Sequence, residues 1–199
     1  MLTRRHLLAA AAALLATPLV AKAQGGGQGA DATEFVRQFG NQALAIVGGS
    51  GSAADKRQRL EPLITRVVDI EGIGRFVLGR FWRTASPQQQ QDFQRLFNQV
   101  LLNNIGARIN EFTGVDFTMT GTTQREDGAY VGTTIRRPNQ QPNNVQWVVS
   151  NIAGRLRIID VVAEGTSLRL TQRNDYASFI SRNGNQIGAL LDAMQRQVS

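Results

Sequence analysis

The feature that most limits what this chain can fold into is a change of hydrophobic period at Gly114. Before it, Phe93, Phe97, Leu101, Ile105, Ile109 and Phe112 recur at intervals of three and four residues. That spacing lays a continuous apolar stripe along one side of a long helix running to Gly114. Its start is marked by Ser86-Pro87-Gln88-Gln89, a serine N-cap followed by a proline and then a glutamine that can bond back to the cap. After Gly114, Val115, Phe117 and Met119 alternate with Asp116, Thr118 and Thr120, the period of a strand with one wet face. A chain patterned this way has to lay a helical layer on a sheet.

The flanking segments agree. Upstream, Phe35, Phe39 and Ala43 predict a helix over 32–46, closed by Gly48-Gly49-Ser50-Gly51-Ser52. A second helix is expected from Asp55 with Leu60, Leu63, Ile64 and Val67 inward, kinked or split by Pro62. Asp69 caps a short helix that carries Ile70, Ile73, Phe76 and Val77 and closes near Gly79. Downstream, Glu126-Asp127-Gly128 turns the first strand into a second over 130–136. A third strand over 145–152 turns at Ala153-Gly154 into a fourth over 156–162, and Ser167 to Thr171 can add an edge. Asn174 caps a helix to Arg182, and a last helix carries Ile187, Leu190, Leu191 and Met194. The fold class is therefore α+β: a curved antiparallel sheet of four to five strands with helices packed on one face, enclosing an apolar pocket.

The N-terminus has a different character. Arg4 and Arg5 precede an apolar run from Leu7 to Val20, and Ala21-Lys22-Ala23 offers a small-x-small cleavage pattern. Residues 1–23 read as a signal peptide, which implies export to the periplasm by the Sec or the twin-arginine route. Residues 24–31, with Gly25-Gly26-Gly27-Gln28-Gly29, read as a flexible leader. Residues 32–199 then form a single domain, long enough to bury its own core. Losing Arg4, Arg5 and Lys22 lowers the formal charge from +7 to +4, and the remaining arginines are scattered. That argues against nucleic acid as a partner, while leaving a mild attraction to anionic lipid headgroups. The chain has no cysteine, and its one histidine, His6, leaves with the signal. Thiol or histidine nucleophiles, a Ser-His-Asp triad and His- or Cys-ligated zinc are thereby removed, while carboxylate-based chemistry survives.

Two stretches carry a family pattern. Asp69-Ile-Glu-Gly-Ile-Gly-Arg-Phe-Val-Leu-Gly-Arg-Phe-Trp82 with Thr84-Ala-Ser-Pro87 precedes the long helix. Ile158-Ile-Asp-Val-Val-Ala-Glu-Gly-Thr-Ser-Leu168, with Gln172-Arg173 and Asn183-Gly184, follows the sheet. In order and spacing these resemble MlaC proteins, also called the toluene-tolerance family, from about Ala32 to the C-terminus. The resemblance implies a monomeric, non-enzymatic periplasmic carrier with phospholipid as cargo and with no metal or organic cofactor. Its implied partners are an outer-membrane lipoprotein–porin complex and an inner-membrane ABC transporter with MCE-domain subunits, and its implied role is to maintain outer-membrane lipid asymmetry. Many relatives carry an aromatic-small pair inside the long helix, where this chain has Asn103-Asn104-Ile105-Gly106. A hopanoid-associated sister group shares much of the pattern, so a hopanoid or another polycyclic lipid is an alternative cargo.

Lipid carriage sets a physical requirement. A two-tailed lipid has about thirty methylenes, each worth roughly 0.8 kcal/mol when removed from water. An apolar lining must therefore nearly match the bilayer. The candidate lining residues are Phe76, Phe81 and Trp82 ahead of the long helix, and Phe97, Leu101, Ile105 and Phe112 along it. Phe117, Met119, Ile135, Trp147 and Val149 would line it from the sheet. The same residues would serve equally as ordinary core, since an apolar stripe looks alike in both roles. Asp160 offers a further alternative, a carboxylate base in a cone-shaped isomerase. Its plainer role is structural, paired with an arginine such as Arg157 or Arg155 or accepting backbone hydrogen bonds.

Overall fold

The structure, a computed structural model, describes residues 25–199, so the signal peptide read at 1–23 lies outside the described residues. Six α-helices and five strands follow in chain order. Helices α1 (Gly25–Gly48), α2 (Ala53–Val67), α3 (Ile70–Leu78) and α4 (Pro87–Ala107) precede the sheet. The strands are β1 (Asp116–Arg125), β2 (Gly128–Arg136), β3 (Asn143–Ile152), β4 (Arg155–Ala163) and β5 (Thr166–Ser167). Helices α5 (Leu168–Arg182) and α6 (Ile187–Val198) close the chain. The strands form one open antiparallel meander in the order β1-β2-β3-β4-β5. The α+β class holds.

Local chemistry explains most boundaries. The Ser86 hydroxyl accepts from the Gln89 N–H at 3.2 Å, and Gln89 Oε1 accepts from the Ser86 N–H at 2.9 Å, a reciprocal box that starts α4. Ser52 and Asp55 make the same box for α2, two residues earlier than the sequence suggests. Pro62 sits on the exposed side of α2 and does not split it. The β3–β4 turn places Ala153 and Gly154 at φ 50° and 81°, as a tight hairpin turn requires.

Three further boundaries differ from the sequence expectation. Helix α1 begins at Gly25, so the residues expected as a flexible leader form its first turns. There the Thr33 hydroxyl donates to the Gly29 carbonyl at 2.8 Å and lies 2.6 Å from the Thr122 hydroxyl on β1, tying that end to the sheet. Helix α4 stops at Ala107, and Ile109–Phe112 tightens into a 3-10 turn. The weak helix formers Asn103, Asn104 and Gly106 precede that change. Helix α5 begins at Leu168 rather than Asn174, because the Ser167 hydroxyl accepts from the Leu170 N–H at 3.1 Å and ends β5 after two residues.

Packing divides the interior into two cores. In the first, α1 and α2 lie against the sheet and bury Val36, Leu63 and Ile64 with Val131, Val149 and Ile158. The second is helical: Val77, Phe93, Leu96, Ile180, Leu190 and Met194 join α3, α4, α5 and α6. Each large side chain so buried contributes roughly 1.5–3 kcal/mol. Ile70 packs against both cores. Beside it, Val68 bridges to Ile158, and the Asp69 N–H donates to the Ile158 carbonyl at 2.9 Å. The α2–α3 joint is thus fastened to the outer edge of β4.

Candidate functional site

That joint forms the wall of a large cleft. The end of α2 and the start of α3 supply Thr65, Val68, Asp69, Ile70, Glu71 and Arg75. Trp82 and Pro87 continue the wall, and the first half of α4 adds Gln90, Gln91, Gln94, Arg95 and Asn98. The β3–β4 hairpin closes it with Ile152, Ala153, Arg155 and Arg157. The volume is about 1060 Å³, at the top of the roughly 300–1,000 Å³ range of small-molecule sites. The family-like stretch Asp69–Trp82 therefore lies along this opening.

The wall is held by polar bonds. Gln90 Nε2 donates to the Trp82 carbonyl at 2.8 Å and Gln94 Nε2 donates to the Glu71 carbonyl at 3.0 Å, clipping α4 to α3 and the turn after it. Gly74 permits this approach, since a Cβ there would sit 2.6 Å from Gln94 Oε1. Arg75 pairs with Glu71 and lies 5.5 Å over the Trp82 ring. Arg157 donates to the carbonyls of Thr65, at 3.0 Å, and Arg66 at the end of α2. Four guanidiniums face two carboxylates, Asp69 and Glu71, so the cleft is net basic. Asn98 Oδ1 is buried in the wall without a hydrogen-bond partner among the described residues.

The sequence-derived lining residues are spread over the cleft and the two cores. Trp82 lines it directly. Phe76, Phe81 and Phe97 belong to the helical core. Ile105, Phe112, Met119, Trp147 and Val149 belong to the sheet core, where the Trp147 ring meets Phe39 edge-on at 5.5 Å. Leu101, Phe117 and Ile135 are half-buried, and the Phe117 ring lies against Gly40 of α1. The sheet face expected to border an open pocket is covered by α1 with Phe35, Phe39, Ala43 and Ile46. Reasoning from sequence missed the polar wall: Gln90, Gln94, Asn98, Arg155 and Arg157. The one signal for it was the run of glutamines that opens α4 beside its apolar stripe.

Asp160 sits elsewhere and is fully engaged. It is 5% exposed and does not border the cleft. Its carboxylate accepts from the Ser167 hydroxyl at 2.5 Å, the Val161 N–H at 2.8 Å and the Arg169 N–H at 3.1 Å. Its arginine partner is Arg169, with Nε at 3.4 Å, in place of the expected Arg157 or Arg155. Both of those lie at the cleft, on or beside the hairpin turn. Among the described residues, no group of histidine, cysteine, aspartate and glutamate could hold a metal ion. No helix among them is long and apolar enough to cross a membrane.

Comparison with known proteins places this architecture. The family model described as MlaC protein matches residues 38–196. Toluene tolerance protein ttg2D of Pseudomonas putida is 27% identical over 143 residues, 70% of this chain and 66% of that protein, so the chain spans just under two thirds of that relative. A solved phospholipid-binding protein from Ralstonia solanacearum, in complex with a phospholipid, shares the fold at a TM-score of 0.73 and 22% identity. That alignment covers 84% of this chain and 96% of the other. A family match running from the middle of α1 nearly to the C-terminus leaves one conclusion: the chain belongs to the MlaC family.

Proposed function

We propose that this protein is a periplasmic phospholipid carrier that moves lipid between an outer-membrane lipoprotein–porin complex and an inner-membrane ABC transporter with MCE-domain subunits. The observation that carries the proposal is the shared fold with a protein whose structure holds a phospholipid. Family membership and the form of the cleft support it.

The arginine rim suits a phosphodiester, since planar guanidiniums match phosphate oxygens. Asn98 Oδ1 offers an acceptor for a headgroup ammonium or hydroxyl. Val68, Ile70 and Trp82 begin an apolar path from the cleft to the seam between the cores. The acyl tails would follow that seam, with Phe76, Phe81 and Phe97 on one side and Ile105, Phe112, Trp147 and Val149 on the other. Leu101 lies on α4 between Phe97 of the helical core and Ile105 of the sheet core. Neither a cofactor nor a catalytic group enters this account, and a single copy suffices.

Transfer between vesicles tests carriage. Movement of a labelled phospholipid from donor to acceptor vesicles should rise in proportion to protein concentration. Leu101→Asp should slow it at least tenfold while leaving the melting temperature within a few degrees, because that position is only half-buried. Transfer no faster with protein than without it would sink the proposal.

A further inference from the structure

A second cavity, of about 380 Å³, opens on another side of the helical core. Gly79 and Arg80, just after α3, face Arg173, Asn174, Ser178 and Ser181 of α5 across it. Both arginines lie within the family-like stretches, yet the cleft uses neither of them.

The chemistry of this pocket is one-sided. Two guanidiniums, two hydroxyls and a carboxamide line it, with no carboxylate. Arg80 lies 4.8 Å over the Phe81 ring and donates to the Ser181 hydroxyl at 3.3 Å. Arg173 lies 4.9 Å over the Phe76 ring. Neither has an ion-pair partner among the described residues. Arg169 gives the contrast: it too stacks on Phe76, at 4.6 Å, but Asp160 and Asp127 neutralise it at 3.4 and 3.3 Å. One arginine of the stack is thus compensated, while two others share a small cavity where like charges repel. Gly79 helps to fix the arrangement. Its φ of +57° favours glycine, and a Cβ there would stand 3.0 Å from Arg173 Nε and crowd that guanidinium.

We propose that this pocket is an anion site for a phosphate group. Arg80 and Arg173, each held by an aromatic ring, would grip its oxygens, and the hydroxyls of Ser178 and Ser181 would complete the shell. The cavity admits a phosphate but is too small for a two-tailed lipid, so it is distinct from the cargo cleft. Arg80, Ser178 and Ser181 are exposed, which gives access both to free phosphate and to a phosphodiester headgroup at a bilayer surface.

Calorimetric titration of the intact protein with sodium phosphate, paired with co-sedimentation on phosphatidylglycerol vesicles, tests the site. Wild type should show saturable binding at one phosphate per chain. Arg80→Gln with Arg173→Gln should weaken it at least tenfold. Ser178→Asp should do the same by placing a carboxylate at an exposed position, leaving both arginines and their ring contacts intact, so the test stands even if the arginine variant does not fold. Vesicle binding that falls in step identifies the headgroup as the source, and vesicle binding that is unchanged identifies free phosphate. A wild-type titration that does not saturate, or one that Ser178→Asp leaves unaltered, overturns the proposal.

Discussion

Phe93→Ala is expected to lower stability by about 3–5 kcal/mol, the range for deleting a fully buried aromatic ring. For a domain of this size each kcal/mol shifts the melting temperature by roughly 2–4 °C, so a fall of roughly 6–20 °C should be seen by calorimetry. Phe93 has no exposed surface and stacks on Phe97 at 5.7 Å. It also meets Tyr176 edge-on at 6.1 Å, joining α4 to α5. Burial pushes the Tyr176 phenol up to about 12, so at ordinary pH this ring contact is between neutral groups. Because Phe93 belongs to the helical core, the loss should be uneven. Hydrogen exchange should quicken in α5 and α6 well before it does in β2 and β3. Uniform quickening would mean that the two cores are one cooperative unit.

Asp160→Ala should cost about 3 kcal/mol, read as a shift in the denaturant midpoint without a large change in slope. The carboxylate joins three elements at once, accepting from β4, from the hydroxyl of Ser167 and from the first turn of α5. Its removal leaves those donors unpaired and leaves Arg169 with Asp127 as its remaining ion-pair partner. Asp160→Asn should fall between wild type and alanine, since a carboxamide oxygen can still accept. If alanine proves neutral, the network is not what anchors α5, and Asp160 needs another explanation.

These two residues also show what the sequence could and could not reveal. The helix around Phe93 was legible because two local signals agreed, the cap at Ser86 and the three-and-four spacing of apolar residues. The β3–β4 hairpin was legible because Ala153-Gly154 interrupts two alternating strands. The start of α5 was not, because Ser167 ends a strand and caps a helix in one residue. Its apolar neighbours Leu168 and Leu170 alternate as a strand would, yet the structure leaves both about half exposed. The bond from the Arg169 N–H to Asp160, nine residues back, is a tertiary fact that no window of sequence contains.

The same limit applied to the site. The α4 stripe gave only part of the buried face: Leu96, Val100 and Leu102 are buried beside Phe93 and Phe97, while Leu101 is half-buried. It also serves two cores in succession: Phe93 and Phe97 enter the helical one, Ile105 and Phe112 the sheet one. Helical periodicity carries no information about which partner a residue meets. The cleft wall is built from the row of α4 next to that stripe, where Gln90, Gln94 and Asn98 read from sequence as solvated helix positions. Their role appears only when the α2–α3 joint is fastened to β4 and the β3–β4 hairpin projects Arg155 and Arg157 opposite them.

Whether this fold carries phospholipid can be read by native mass spectrometry of protein isolated gently from the periplasm. The expected result is a mass increase equal to one phospholipid per chain, released by organic extraction and identified as a two-tailed glycerophospholipid. A hopanoid released at the same stoichiometry would keep the carrier and change the cargo. Protein that always flies at its bare mass, and takes up no lipid from vesicles, would mean that the fold is not a lipid carrier.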